Sequence, residues 1–112
     1  MLKKSLLSIV LVGLLAVFIT GNVFAEERIA IVFATGGLGD KSFNDSAYEG
    51  MQSAEEELGI QFDQAEPTAI TEYETYLTQF ASTQRYDLII SIGFDQADAL
   101  TKVANRFPDQ KF

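Results

Sequence analysis

The chain alternates between two hydrophobic periods. Arg28–Ala34 (RIAIVFA) is a nearly continuous apolar run rich in β-branched residues, the pattern of a strand buried on both faces. After the glycine-rich stretch Thr35–Lys41, apolar residues fall at Phe43, Ala47, Met51, Ala54 and Leu58. That three-or-four spacing predicts a helix with one inward face. Ser42 stands at its N-cap with Asp45 three residues on, a variant capping box, and Gly59 supplies its stop. Glu55, Glu56 and Glu57 read as its solvated side.

The alternation then repeats. Ile60–Asp63 predicts a short strand, Glu66-Pro67-Thr68 a connection, and Ile70–Gln84 a helix with Ile70, Tyr73, Leu77, Phe80 and Ala81 facing inward. Asp87–Gly93 (DLIISIG) predicts another buried strand. Asp95–Phe107 follows as a helix with Leu100, Val103, Ala104 and Phe107 inside, and Lys111-Phe112 begin the approach to a further strand. A βαβαβα order predicts an α/β fold with a parallel sheet and helices on both faces. With strands in the order 2-1-3, a ligand belongs beyond the C-terminal ends of the first and third strands. The loops there are Thr35–Asn44 and Gly93–Gln96.

Composition changes this picture at the N-terminus. Lys3 and Lys4 precede the apolar run Leu6–Ile19, and Val23-Phe24-Ala25 forms a small-residue cleavage pattern, so residues 1–25 are expected to be a secretory signal peptide. The run is shorter than the ~20 residues that span a bilayer. Its removal leaves residues 26–112 with six basic and sixteen acidic residues, a net charge of −10. Such a surface argues against nucleic acid as a partner, because phosphate binding needs basic patches. The sequence has no cysteine, hence no disulfide and no cysteine for lipid attachment, and no histidine. No serine sits in a G-x-S-x-G elbow. An enzyme is therefore not expected, nor a cofactor or a metal site.

The glycine loop invites two nucleotide readings, and both fit badly. Aligned on Lys41-Ser42, a P-loop would need glycines where Thr35 and Asp40 stand. A dinucleotide fingerprint over Gly37, Gly39 and Ser42 lacks its third glycine and places Asp40 near the pyrophosphate, although Asp63 could serve as the ribose acid.

A third reading comes from resemblance. Gly36–Gln52 (GGLGDKSFNDSAYEGMQ), with Asp40-Lys41-Ser42-Phe43-Asn44 followed by Ala47, Glu49 and Gly50, resembles the signature of the basic membrane protein (BMP), or PnrA-like, family. Asp87–Phe94 and Phe107-Pro108-Asp109-x-Lys111-Phe112 are similar to the family at matching spacings. These are substrate-binding components of ABC transporters, and characterised members bind purine nucleosides. The resemblance implies the type I periplasmic-binding-protein fold, in which two α/β lobes close around a small solute, and a membrane permease as partner. It implies an exported protein held at the cell envelope through its transporter. Many family members are lipoproteins, whereas this chain lacks the anchoring cysteine and is expected to be soluble in a periplasm.

By resemblance, Phe43 stacks on the ligand and Asn44 is a polar contact. Gly93 and Phe94 line the other wall, while Gly36, Gly37, Gly39, Asp40 and Ser42 shape the loop. The residues allow blander roles: Phe43 on the apolar helix face could be core, Asn44 could make a local turn bond, and Asp95 could simply start a helix, where a carboxylate suits the dipole. The chain departs from nucleoside-binding relatives at the end of the first strand, where they carry an acid and it has Ala34 and Thr35.

Family members are considerably longer, so residues 26–112 are expected to be a truncated part of the first lobe. An isolated segment of that kind leaves a sheet edge unpaired and is expected to bind no solute by itself. The competing readings are a non-binding fragment and a nucleotide-cofactor-binding α/β enzyme domain.

Overall fold

A computed structural model describes residues 26–112. The expected signal peptide, residues 1–25, lies outside the described residues. The elements run β1 (Arg28–Val32), α1 (Phe43–Leu58), β2 (Gln61–Ala65), a 3-10 turn (Ile70–Glu72), α2 (Tyr73–Ser82), β3 (Leu88–Ser91), a second 3-10 turn (Phe94–Gln96) and α3 (Ala97–Arg106). The strands form one parallel sheet in the order β2-β1-β3, as the alternation predicts. Ile29 aligns with Phe62 on one side and with Leu88 on the other.

The central strand explains the continuous apolar run. Ala30 and Val32 join Ala65, Tyr73, Leu77, Ala81, Ile89 and Val103 in a core beneath α2 and α3. Ile31 and Phe33 turn the other way, toward Met51 and Ile60, with Ala47, Tyr48, Ala54, Phe62 and Ile90 packed around them. Tyr48 meets Phe33 and Phe62 edge-on, with ring centroids 6.4 and 6.1 Å apart. Each such aromatic pair contributes about 1 kcal/mol beyond its area burial.

The sheet edges differ. On β2, Gln61, Asp63 and Gln64 are exposed and Ala65 alone is buried, which suits an outer strand. On β3, the Ile89 N–H donates to the Lys111 carbonyl at 3.0 Å. Lys111 thus lies alongside β3 as the approach to a neighbouring strand would.

Three expectations need correction. The α1 stripe is inward only in its middle: Phe43 is 80% exposed and Leu58 76%. A sixteen-residue helix is about 24 Å long, whereas a five-residue strand covers about 17 Å. The helix therefore overhangs the sheet at both ends. Ile70 is also exposed, and it lies in a 3-10 turn. The Glu72 carboxylate accepts the Thr68 and Ala69 N–H groups and the Thr68 hydroxyl, tightening the chain into a turn ahead of α2. Finally, both later helices are shorter than their periodicity suggests. Gln84 has a left-handed φ of 53° beyond the end of α2, and α3 begins at Ala97 after its own 3-10 turn.

Candidate functional site

β1 lies between β2 and β3, and the helices that follow β1 and β3 pack on opposite faces of the sheet. The two βα loops separate there and open a mouth at the strand ends. The loop after β1 reaches Ser42, and the loop after β3 is Gly93–Gln96.

The first loop is held by carboxylates. Asp40 Oδ1 accepts the N–H groups of Ser42 (2.9 Å) and Asp45 (3.2 Å), and its Oδ2 accepts that of Asn44 (3.1 Å). Asp40 thereby occupies the N-terminus of α1, where unpaired amides and the helix dipole favour a negative charge. Ser42, expected as the cap, makes no side-chain cap bond. Burial pushes the Asp40 carboxyl up, but the three N–H donors outweigh it and hold the group below its ordinary 3.8. Asp45 turns back over the loop and accepts the N–H groups of Gly39 (2.6 Å) and Lys41 (2.9 Å). Glu66, just beyond β2, accepts that of Leu38 at 2.9 Å.

Gly37 is needed there. Its φ is +64°, and a Cβ would lie 3.0 Å from the Glu66 Oε1. Gly36 and Gly39 also have positive φ, with open space around them.

Asn44 makes the local bonds that are one of its two sequence readings. It is 1% exposed, and its amide is occupied internally: Oδ1 accepts the Ala34 N–H at 2.9 Å, while Nδ2 donates to the carbonyls of Ala34 (3.1 Å) and Gly37 (3.0 Å). Both amide hydrogens are used, so Asn44 ties the end of β1 to the first turn of α1.

The second loop is short and crowded. Gly93 has φ +103°, and a Cβ on it would stand 2.8 Å from Asp95 Oδ1 and 3.3 Å from the Ala34 Cβ. Gln96 is fully buried, and its Nε2 donates to the carbonyls of Val32 (2.9 Å), Phe33 (3.2 Å) and Ile92 (2.8 Å). It joins the ends of β1 and β3 where their ladder stops. Tyr73 links the loops as well. Its buried hydroxyl accepts the Thr35 N–H at 2.9 Å and donates to Asp95 Oδ2 at 2.8 Å.

Two phenylalanines stand free at this end of the sheet. Phe43 opens α1 and Phe94, 96% exposed, opens the turn after β3. Sequence reasoning missed Glu66, the inward turn of Asp45 and the hydroxyl of Tyr73. The signal for the last was a polar tip within an otherwise apolar helix stripe.

Residues 27–112 match the model of the Bmp family, described as ABC transporter substrate-binding protein PnrA-like. The chain belongs to this family. It is 36% identical to a lipoprotein of Pyrococcus abyssi over 116 aligned residues, covering 99% of this chain and 29% of that protein. It is 33% identical to the ABC transporter nucleoside-binding protein BmpA of Lactococcus lactis, covering 83% of this chain and 27% of that one. Among solved structures, it superimposes on an ABC transporter solute-binding protein from Aeropyrum pernix with a TM-score of 0.71 and 39% identity, over 76% of this chain and 23% of that one. This Bmp-family chain thus spans less than a third of the length of these relatives. It shares with the Aeropyrum protein the α/β architecture of an ABC solute-binding protein.

Proposed function

We infer that residues 26–112 form one wall of the solute cleft in an extracytoplasmic substrate-binding protein, and that the solute is neutral and aromatic, a nucleoside in particular. The observation that carries this reading is the pairing at one mouth of two exposed phenylalanines with a loop whose backbone donors are already occupied. Exposed rings offer stacking surface to a flat base, worth about 1–3 kcal/mol per base. Glycine loops that bind phosphate do so through free N–H groups. Here Asp40, Asp45 and Glu66 take those N–H groups, so a phosphorylated ligand would meet three carboxylates and few donors.

The name of the Lactococcus relative, a nucleoside-binding protein, supports the same class. The rest of the protein would supply the opposing wall by hinge closure and deliver the solute to a membrane permease without transforming it. Titration of the full-length protein with inosine and with inosine 5′-monophosphate tests the reading. Inosine should bind and the monophosphate should not. Replacing Phe43 or Phe94 by alanine should weaken inosine binding about tenfold or more, while the melting temperature stays within about 2 °C because neither ring is buried. Equal affinity for both solutes, or no loss in either variant, would refute it.

A further inference from the structure

Asp95 is built unlike a helix-start carboxylate. It makes no cap bond, and it is half-buried with one oxygen fixed by the hydroxyl of the buried Tyr73 at 2.8 Å. The same hydroxyl receives the Thr35 N–H from the other loop, so the carboxylate is registered against both sides of the mouth. Its second oxygen, Oδ1, has no hydrogen-bond partner among the described residues and lies close over Gly93, in the space a Cβ would fill. Asp95 also lines a cleft of about 340 Å³ that includes Ile70, Tyr73 and Asp98. The chain just past β1 brings no charge to this point, since Ala34 and Thr35 stand there.

We propose that Asp95 is a specificity-determining residue of this site, offering Oδ1 to a hydrogen-bond donor of the solute, with Tyr73 as its positioning residue. The inference rests on the solute-cleft reading above and narrows it. A carboxylate accepts and does not donate, so the solute must present a hydroxyl or an N–H at this wall. The bond is charge-assisted and partly screened from water, which makes it stronger than a neutral one. A solute lacking the donor would leave a half-buried charge facing an apolar edge, and that mismatch discriminates more sharply than shape alone.

The test crosses variants with solutes on the full-length protein. Inosine, 2′,3′-dideoxyinosine and purine riboside are titrated into the wild type, Asp95→Ala, Asp95→Asn and Tyr73→Phe. Asp95→Ala should weaken inosine binding about tenfold or more. One of the two analogues, lacking the contacted donor, should bind the wild type poorly yet lose little further in Asp95→Ala. Asp95→Asn, which keeps an acceptor for Tyr73, should fall between. Tyr73→Phe should reduce the same coupling in the same direction by a smaller factor. A purely structural role for Tyr73 would instead weaken all three solutes equally. Wild-type affinities for all three solutes in Asp95→Ala, or equal losses with no coupling, overturn the proposal while leaving the solute-cleft reading intact. Failure of the unaltered protein to bind any of the three would bring down both.

Discussion

The two loops at the mouth reach rigidity by different means. The loop after β1 is long, and side-chain carboxylates satisfy its backbone: Asp40, Asp45 and Glu66 accept six of its N–H groups or those of the adjoining helix turn. The loop after β3 is short, and close approach defines it, with Gly93 squeezed between Ala34 and Asp95 and Gln96 buried beneath. The first loop should therefore respond to charge and protonation. The second should respond to added volume. Asn44 sits at the root of the first and obeys the rule of buried polar groups: once it is removed, the Ala34 N–H and the Gly37 carbonyl lose their partner.

The largest effect is expected at that root. Asn44→Ala leaves the Ala34 N–H and the Gly37 carbonyl without a partner, while the Ala34 carbonyl keeps the Gly37 N–H, and each stranded group costs about 1–3 kcal/mol. A total of about 3–4 kcal/mol, read from urea denaturation, is expected. A loss under about 1 kcal/mol would show that water replaces the amide and that the root is less closed than the geometry indicates.

Next comes the volume contrast. Gly93→Ala must place a side chain at φ +103° and within 2.8 Å of a carboxylate oxygen, whereas Gly36→Ala meets similar strain at φ +105° with nothing within 4 Å. The first should cost about 2–3 kcal/mol and the second about 1 kcal/mol. Equal losses in thermal denaturation would show that backbone strain alone governs both positions and that crowding contributes nothing.

The smallest effect is the response to acid. The Asp40 carboxyl is held below its ordinary 3.8, so the unfolded chain takes up a proton more readily than the folded one. Its contribution is complete above about pH 5 and is lost as the pH falls through 3.8 toward the lower folded value. Amide shifts of Ser42, Asn44 and Asp45, followed by NMR, should move together in that window and stop doing so in Asp40→Asn. The Gln96 amide, which donates to the Gly93 carbonyl, should not follow them. If Gln96 moves in step, the loops are one acid-sensitive unit and the contrast between them fails.

Much of the architecture was legible along the chain. The two-sided apolar run of β1 implied a central strand, the alternation of periods implied a parallel sheet, and the order β2-β1-β3 located the mouth at two loops. What periodicity could not express is where an element stops being covered. Phe43 and Met51 share one helical face, yet one is bare and the other buried, because the helix outlasts the sheet beneath it. Nor could it show which polar side chains turn inward. Asn44 beside a glycine loop reads equally well as a solute contact or as a tie, and the choice depends on the Ala34 backbone ten residues away. Tyr73 meets Thr35 and Asp95 only because β1 and β3 are neighbours, which brings residues 38 and 22 positions apart within hydrogen-bond reach. Local sequence determined the elements and their order, since propensity and side-chain period act over a few residues. The tertiary structure alone decided the roles at the mouth, since hydrogen bonds and exposure there depend on which strand ends lie side by side.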